Sequence, residues 1–478
     1  EFTAPAEGGW QTNGNVNVRG FAEDLTAVAG VYYSTAATAP ALPVQDDLLE
    51  LLTDADWTAL GWTKATGTAN WNIAFTDLPE GSYTVWVSAM DKVSNTTAPV
   101  QRIFGVDTAL PNLSDVSVPE PNIRGDFNLT GIATDSNALH PTTPVTITQS
   151  KDGGDAVVIS GNITPATIAS GDTWTLLGLP RNPVSPLDQI AFTPANDGVY
   201  DFVITVMDVA ERTREITRTV RIDTQDPVLT APDLGDIAGW INEATLRISG
   251  TVEETGSGMD RIEYSLNGGA AQALSLNIDA QSTTNWNWSG NIPLSNGTDQ
   301  RLSVTAYDKA GNTVTSSTYT FNVDQASPSI TGGPSGPQRT NLLSPVVATY
   351  TVEDGLSGVA SVLLTSIGDG PSGTAIDAAD QASSKTTGDD WELSLPATTL
   401  GSLGLASGSS YVVTTTATDA AGNTSTANFT IIVDTTNPSV TISTPENNAT
   451  INKLTKIRGT ASDEQSLSKV ELYVETGP

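Results

Sequence analysis

Apolar and polar positions alternate with a period of two along most of the chain, and the 3.6-residue period of a helix is nowhere sustained. Before a recurring turn, apolar residues fall on one parity at Tyr83, Val85, Val87 and Ala89, at Tyr200, Phe202, Ile204 and Val206, at Leu302, Val304 and Ala306, and at Tyr411, Val413 and Ala417. Side chains two apart share one face of an extended chain, so each run predicts a half-buried strand. An earlier strand repeats five times, beginning at Val16, Phe127, Leu246, Val346 and Ile457. A third appears as Val31-Tyr-Tyr33, Val145-Thr-Ile147, Ile262-Glu-Tyr264, Val362-Leu-Leu364 and Val470-Glu-Leu472, commonly before a turn such as Asn267-Gly-Gly or Gly368-Asp-Gly. A Trp opens a fourth at Trp71, Trp174, Trp286 or Trp288, and Trp391. Roughly seven short strands per hundred residues, without a helical period, predict two-sheet sandwiches with the Trp residues as core plugs.

The strands come in repeats. Asp91-Lys-Val-Ser-Asn95 returns as Asp208-Val-Ala-Glu-Arg212, Asp308-Lys-Ala-Gly-Asn312 and Asp419-Ala-Ala-Gly-Asn423. Each is followed by a junction, at Val106-Asp107 to Pro111, Ile222-Asp223 to Pro227, Val323-Asp324 to Pro328 and Val433-Asp434 to Pro438. A spacing of about 110 residues is too long for a solenoid and suits independent domains. The expected boundaries are 1–107, 108–223, 224–324 and 325–434, with a partial fifth repeat at 435–478. The first repeat has no such junction before it, so the chain reads as cut from something longer. The fifth is too short to bury a core alone; it is expected either to be truncated or to be completed by strands of another chain.

Composition narrows the class. With no Cys among 478 residues, neither disulfides nor thiolate metal sites are available, and a single His140 leaves little room for imidazole chemistry. Lys and Arg number 21 against 54 Asp and Glu, and a net charge of −33 repels phosphate backbones and anionic lipid. Nucleic acid is not an expected partner, and no stretch has the length and apolarity of a membrane span.

The run Tyr-x-Val-x-x-x-Ala-x-Asp-x-Ala-Gly-Asn, then a strand, then Val-Asp-x-x-x-Pro, resembles the bacterial immunoglobulin-like repeats of giant secreted adhesins; Asp208-Val-Ala-Glu-Arg212 departs from its Gly-Asn ending. The resemblance covers the whole chain. It implies an all-β linear array of immunoglobulin-like sandwiches, placed outside the cell or on the bacterial surface, serving as a stalk with calcium between domains. The implied partners are neighbouring repeats of a longer chain and ligands on host or matrix surfaces.

The residues bear on calcium directly. Continuing the core parity by two positions leads to Asp91, Asp208, Asp308 and Asp419, and the earlier strand likewise runs to Asp24, Asp135, Glu254, Asp354 and Asp463. A carboxylate where an apolar side chain is expected costs several kcal/mol unless compensated. In an immunoglobulin topology both strands end at the pole where the chain enters the domain, and the preceding junction delivers its own Asp there. This gathers Asp107 with Asp135 and Asp208, Asp223 with Glu254 and Asp308, Asp324 with Asp354 and Asp419, and Asp434 with Asp463. Three carboxylates without a neighbouring cation repel one another, and a hard divalent ion with oxygen ligands, Ca2+ before Mg2+, resolves the repulsion. Asn95, Asn312 or Asn423 and backbone carbonyls complete the expected shell. The competing explanation is that the Asp residues cap turns.

No nucleophile elbow, phosphate loop or His-Glu-x-x-His motif occurs, so no enzyme activity is expected. Arg212, Arg214, Arg218 and Arg221 form a basic cluster whose expected role is to protect an edge strand. Two insertions stand out: residues 46–60, where Leu48, Leu49, Leu51, Leu52 and Trp57 predict a short helix, and the Pro-rich 181–196. Besides the stalk, two further functions fit: a module binding carbohydrate or protein through these loops, and the accessory domains of a secreted hydrolase.

Overall fold

A computed structural model of the chain describes residues 1–45, 50–118, 120–235, 237, 239–278, 284–368, 373–453 and 456–475. Leu48 and Leu49, and the turn residues after Gly368, lie outside them. The period-two runs form strands everywhere but at Val470–Leu472, and among the described residues the only α-helices are two of six residues each, Asp54–Ala59 and Ala397–Ser402.

Two compact units are present: residues 1–228 with 254–260 and 307–313, and residues 229–253, 261–306 and 314–478. In the first unit, strands Phe2–Ala4, Val16–Phe21 and Asn70–Phe75 form one sheet, and Trp10–Gln11, Val100–Val106, Gly81–Asp91, Val28–Ser34 and Thr63–Lys64 the other. Their inward residues, Val18, Val31, Ile73, Val85 and Phe104 among them, share one core. The next pair has the order Ile163–Thr164, Thr173–Leu179, Phe127–Thr134, Asn112–Ser117 in one sheet and Asn122–Ile123, Thr213–Ile222, Gly198–Met207, Val145–Lys151, Val157–Val158 in the other. Leu129, Trp174, Phe202 and Ile204, each 0% exposed, fill the space between them.

The second unit repeats this order with Thr245–Glu253 paired to Asn285–Pro293, and again with Val346–Glu353 paired to Asp390–Leu395. In each pair of sheets a short strand runs parallel to the last long one, as Asn122–Ile123 does along Arg221 and Ile222. This switch of the first strand between sheets is an immunoglobulin-type arrangement. The Trp residues plug the cores as expected: Trp71, Trp174, Trp286 and Trp288 are buried and Trp391 is half-buried.

At 439–462 only a hairpin forms, Ser439–Thr444 against Arg458–Ser462. The strand expected at Val470-Glu-Leu472 is not paired, and Val470 and Leu472 are exposed. Elsewhere that strand is held by a long neighbour, as Val145–Lys151 is by Gly198–Met207; no equivalent neighbour occurs among the described residues here.

The candidate cation sites at the joints

The signature Asp folds a turn around itself. In all four copies its N–H donates to the carbonyl four residues on, and its Oδ1 accepts the N–H of that same residue, Asn95, Arg212, Asn312 or Asn423. The residue before that position lies in the left-handed region, φ being 69° at Ser94, 63° at Glu211, 89° at Gly311 and 92° at Gly422. Two copies therefore use Gly where any side chain is strained. One oxygen of each Asp thus caps the turn, while the other accepts the Asn amide in Asp91, Asp308 and Asp419 and is unpartnered in Asp208; capping and clustering coexist in Asp208, Asp308 and Asp419.

Each junction Asp is pinned by its main chain to the domain it leaves. Its N–H donates to Gln11 O for Asp107, to Ile123 O for Asp223, to Ile241 O for Asp324 and to Thr340 O for Asp434. Its carbonyl is held from the next repeat by Arg212 Nη1 at 3.3 Å, by Asn312 Nδ2 at 2.9 Å and by Asn423 Nδ2 at 2.8 Å, for Asp107, Asp223 and Asp324 respectively. The peptide is clamped on both sides.

Among the described residues three carboxylate groups result: Asp107, Asp135 and Asp208; Asp223, Glu254 and Asp308; and Asp324, Asp354 and Asp419. In each, one oxygen per residue lies within 4.8 Å of the others. Asp107, Asp208, Asp223 and Asp324 are 0% exposed, and Asp135 and Asp354 are half-buried. At the first joint, Asp107 Oδ1 and Oδ2, Asp135 Oδ2 and Asp208 Oδ2 have no hydrogen-bond partner. Burial, then the charges of Asp135 and Asp208, push the Asp107 carboxyl up, with the neighbouring Asn137 amide opposing. At the second, burial pushes Glu254 up to about 7, with Asp223 and Asp308 adding to it and the Gly256 N–H opposing. At the third, burial of Asp324 is outweighed by bonds from Ser357 and Ala326, and its carboxyl lies below the usual range. Gly256 leaves room for the Asp223 carboxylate, since a Cβ there would meet Asp223 Oδ2 at 2.2 Å.

The remaining expected residues stand apart. Asp434 and Asp463 are half-buried around one cleft with Asn341 and Ser466, and the Thr436 hydroxyl bridges Asp434 to Glu464. Asp434 Oδ1 accepts from Thr436, and Asp463 Oδ1 from Gln465. Asp24 is exposed and accepts the Thr26 N–H and hydroxyl, while Asp91 is buried under bonds from Val93 and Asn95. The amide groups of Asn95, Asn312 and Asn423 donate their N–H to the signature carboxylate, so these side chains brace the Asp rather than add to the oxygen set through that nitrogen.

The basic cluster has a use beyond the expected edge protection. Arg218 donates from Nε and Nη2 to Val116 O at 3.0 and 2.9 Å, and Arg214 from Nη1 to Asn112 Oδ1 at 3.1 Å, stitching one sheet of the second sandwich to the other. In the described part of the first insertion Trp57 is buried, and with Trp62 just beyond it, Tyr32 and Met90 it forms a satellite core, Tyr32 stacking on Trp57 at 4.1 Å. In the second insertion, buried Arg181 donates to Leu187 O and Leu177 O, and Gln149 bonds its backbone. These anchors face inward. His140 Nδ1 accepts the Thr143 N–H and lies within hydrogen-bonding distance of the Thr142 and Thr143 hydroxyls of its own loop.

Residues 226–325 match a family model described as a bacterial Ig-like domain, and residues 438–478 match one described as a bacterial Ig domain. A comparison with curated proteins gives no match. Among solved structures, a tetra-tandem repeat in the extending region of a large adhesion protein is 16% identical at a TM-score of 0.27, over 88% of this chain and 96% of that one. A structure concerned with host cell surface retention of a 1.5-MDa bacterial ice-binding adhesin is 18% identical at a TM-score of 0.24, over 68% and 98%. Fibronectin(III)-like modules from Clostridium thermocellum are 15% identical at a TM-score of 0.23, over 45% and 93%. The chain is built of immunoglobulin-like sandwiches, and its residues 226–325 and 438–478 are similar to bacterial immunoglobulin-like domains.

Proposed function

We propose that the chain is an extender segment of a bacterial surface adhesin or filament, in which calcium at the junctions restrains consecutive sandwiches at the boundaries read from the sequence. The observation that carries this reading is the convergence, three times over, of carboxylates from three separate elements in a buried pole. Orphaned acceptor oxygens, the absence of sulfur and nitrogen ligands and the irregular turns fit a calcium-type ion better than magnesium, which demands octahedral geometry and retains water. Asp107, Asp135 and Asp208, with the two equivalent groups, would hold the ion. Bound there, it supplies charge neutralisation and a rigid link.

The chain's own residues prepare each joint. The junction Asp carries its carboxylate into the next pole, while bonds to its N–H and carbonyl fix the peptide between the two repeats. Without the ion the carboxylates repel and the joint loosens. Small-angle scattering of the full chain in calcium and in chelator tests this: the expected result is a broader distribution of distances on chelation. Superimposable curves in the two conditions, with calcium binding verified, would sink the stiffening role.

A further inference from the structure

We infer that the three carboxylate joints are not equivalent, and that the first, at Asp107, Asp135 and Asp208, takes the divalent cation most tightly. The inference rests on the calcium reading above and concerns how this chain's residues divide the work among its joints.

The difference lies in which oxygens are already satisfied. At the second joint Asp223 Oδ2 accepts the Ser257 N–H at 2.6 Å, and Asp308 Oδ2 accepts from Asn312 Nδ2 at 2.8 Å. At the third, Asp324 Oδ2 accepts the Ser357 N–H at 3.0 Å, and Asp419 Oδ2 accepts from Asn423 Nδ2 at 2.9 Å. The first joint has neither donor. Asp208 Oδ2 and Asp135 Oδ2 are buried without a partner, and Asp107, 0% exposed like Asp208, has no donor in hydrogen-bonding geometry, its neighbour being the Asn137 amide, whose nitrogen is likewise unpaired.

One residue difference and one difference in turn geometry accompany this. Arg212 replaces the signature Asn, and its guanidinium reaches the Asp107 carbonyl while leaving Asp208 Oδ2 bare. The turn after Asp135 reads Ser-Asn-Ala, and its Asn137 and Ala138 N–H groups are both spent on Asp135 Oδ1, whereas Ser257 and Ser357 reach the junction Asp. Metal affinity is measured against the metal-free state. Oxygens already solvated by N–H groups gain less from a cation than oxygens with no partner at all. The Arg212 charge works against the cation, but its side chain is half-exposed and water screens it.

Calorimetric titration of Ca2+ into the metal-free full chain tests this, alongside Asp208→Asn, Asp308→Asn and Asp419→Asn, each checked for folding by circular dichroism. One ion is expected to bind about ten-fold or more tightly than the other two, the equivalent of one charge-assisted bond. Asp208→Asn removes that tight class; Asp308→Asn and Asp419→Asn keep it. Three indistinguishable sites, or a tight class that survives Asp208→Asn, overturn the inference while leaving the calcium reading standing. No calcium binding by the unaltered chain overturns the reading itself. Should Asp208→Asn fail to fold, Asp135→Asn at the half-buried position makes the same comparison.

Discussion

The side-chain amide of Asn312 donates twice, to the main-chain carbonyl of Asp223 at 2.9 Å and to Asp308 Oδ2 at 2.8 Å. One nitrogen therefore ties the junction peptide to the turn that carries a buried carboxylate. Asn312→Ala leaves both acceptors without this donor in a site where Asn312 is 4% exposed. The expected loss is about 2–4 kcal/mol in urea denaturation without metal, since one bond is charge-assisted and both acceptors are buried. A loss below about 0.5 kcal/mol, the range of an ordinary surface change, would show that the brace is not what holds the joint.

The second joint makes stability depend on pH. Burial raises Glu254 to about 7 in the folded chain, from 4.5. An acid raised in this way keeps its proton longer folded than unfolded, so nothing is lost below pH 4.5, the loss grows from 4.5 to 7, and it is complete above 7. Its full size is on the order of 3 kcal/mol, from 1.36 kcal/mol per unit. In chelator, the melting temperature is expected to be lower at pH 8 than at pH 5, and Glu254→Gln to flatten that slope. Asp324, held low, adds stability that is lost only as the pH falls from 3.8, outside this window. A melting temperature in chelator that rises from pH 5 to pH 8 would contradict the assignment.

The sequence carries the strands and the poles but not the donors that separate one joint from another. Period-two runs read correctly because one face of each strand is buried, and Asp208, Asp308 and Asp419 were placeable because parity carries them into the core. The junction residues Asp107, Asp223 and Asp324 were placeable once the pole was assigned to the chain's point of entry. The Ser257 and Ser357 N–H donors are backbone groups, set by turn geometry rather than residue type, so composition gives no sign of them. Arg212 was visible only as a departure from the signature; that its guanidinium takes over the Asn's bond to the junction carbonyl depends on side-chain reach. The unpaired segment at Val470 shows the opposite limit, since a strand pattern needs a neighbour to become a strand.

Gly131 lies opposite Trp174 across neighbouring strands, and a Cβ on it would come within 2.5 Å of Trp174 Cζ2. Gly20 faces Trp71 and Gly250 faces Trp288 in the same register. In the fourth repeat Tyr350 takes the Gly position, and Trp391 opposite it is only half-buried, as the ring must be if the site across from it is filled. Gly131→Ala is expected to cost about 1–3 kcal/mol by overpacking. Pairing it with Trp174→Phe checks the cause: the two losses should fall short of additivity, because the smaller ring relieves the clash. Additive losses would place the cost in the backbone instead.

Arg218 offers the last case, because its fork and its charge do different things. Nε and Nη2 both reach Val116 O, so the guanidinium fastens the open side of the second sandwich. The strand that carries it, Thr213–Ile222, is paired on one side with Gly198–Met207 and on the other only at Arg221 and Ile222, so most of its length is an edge. Removing the fork costs roughly 1–2 kcal/mol of stability, and removing the charge exposes the edge to pairing with another chain. Arg218→Lys keeps the charge without the fork, and is expected to lower the unfolding midpoint while leaving the association state on light scattering as in the unaltered chain. Arg218→Ala loses both and is expected to associate as well. If the two variants associate equally, the charge does not guard the edge, and the cluster serves only to join the two sheets.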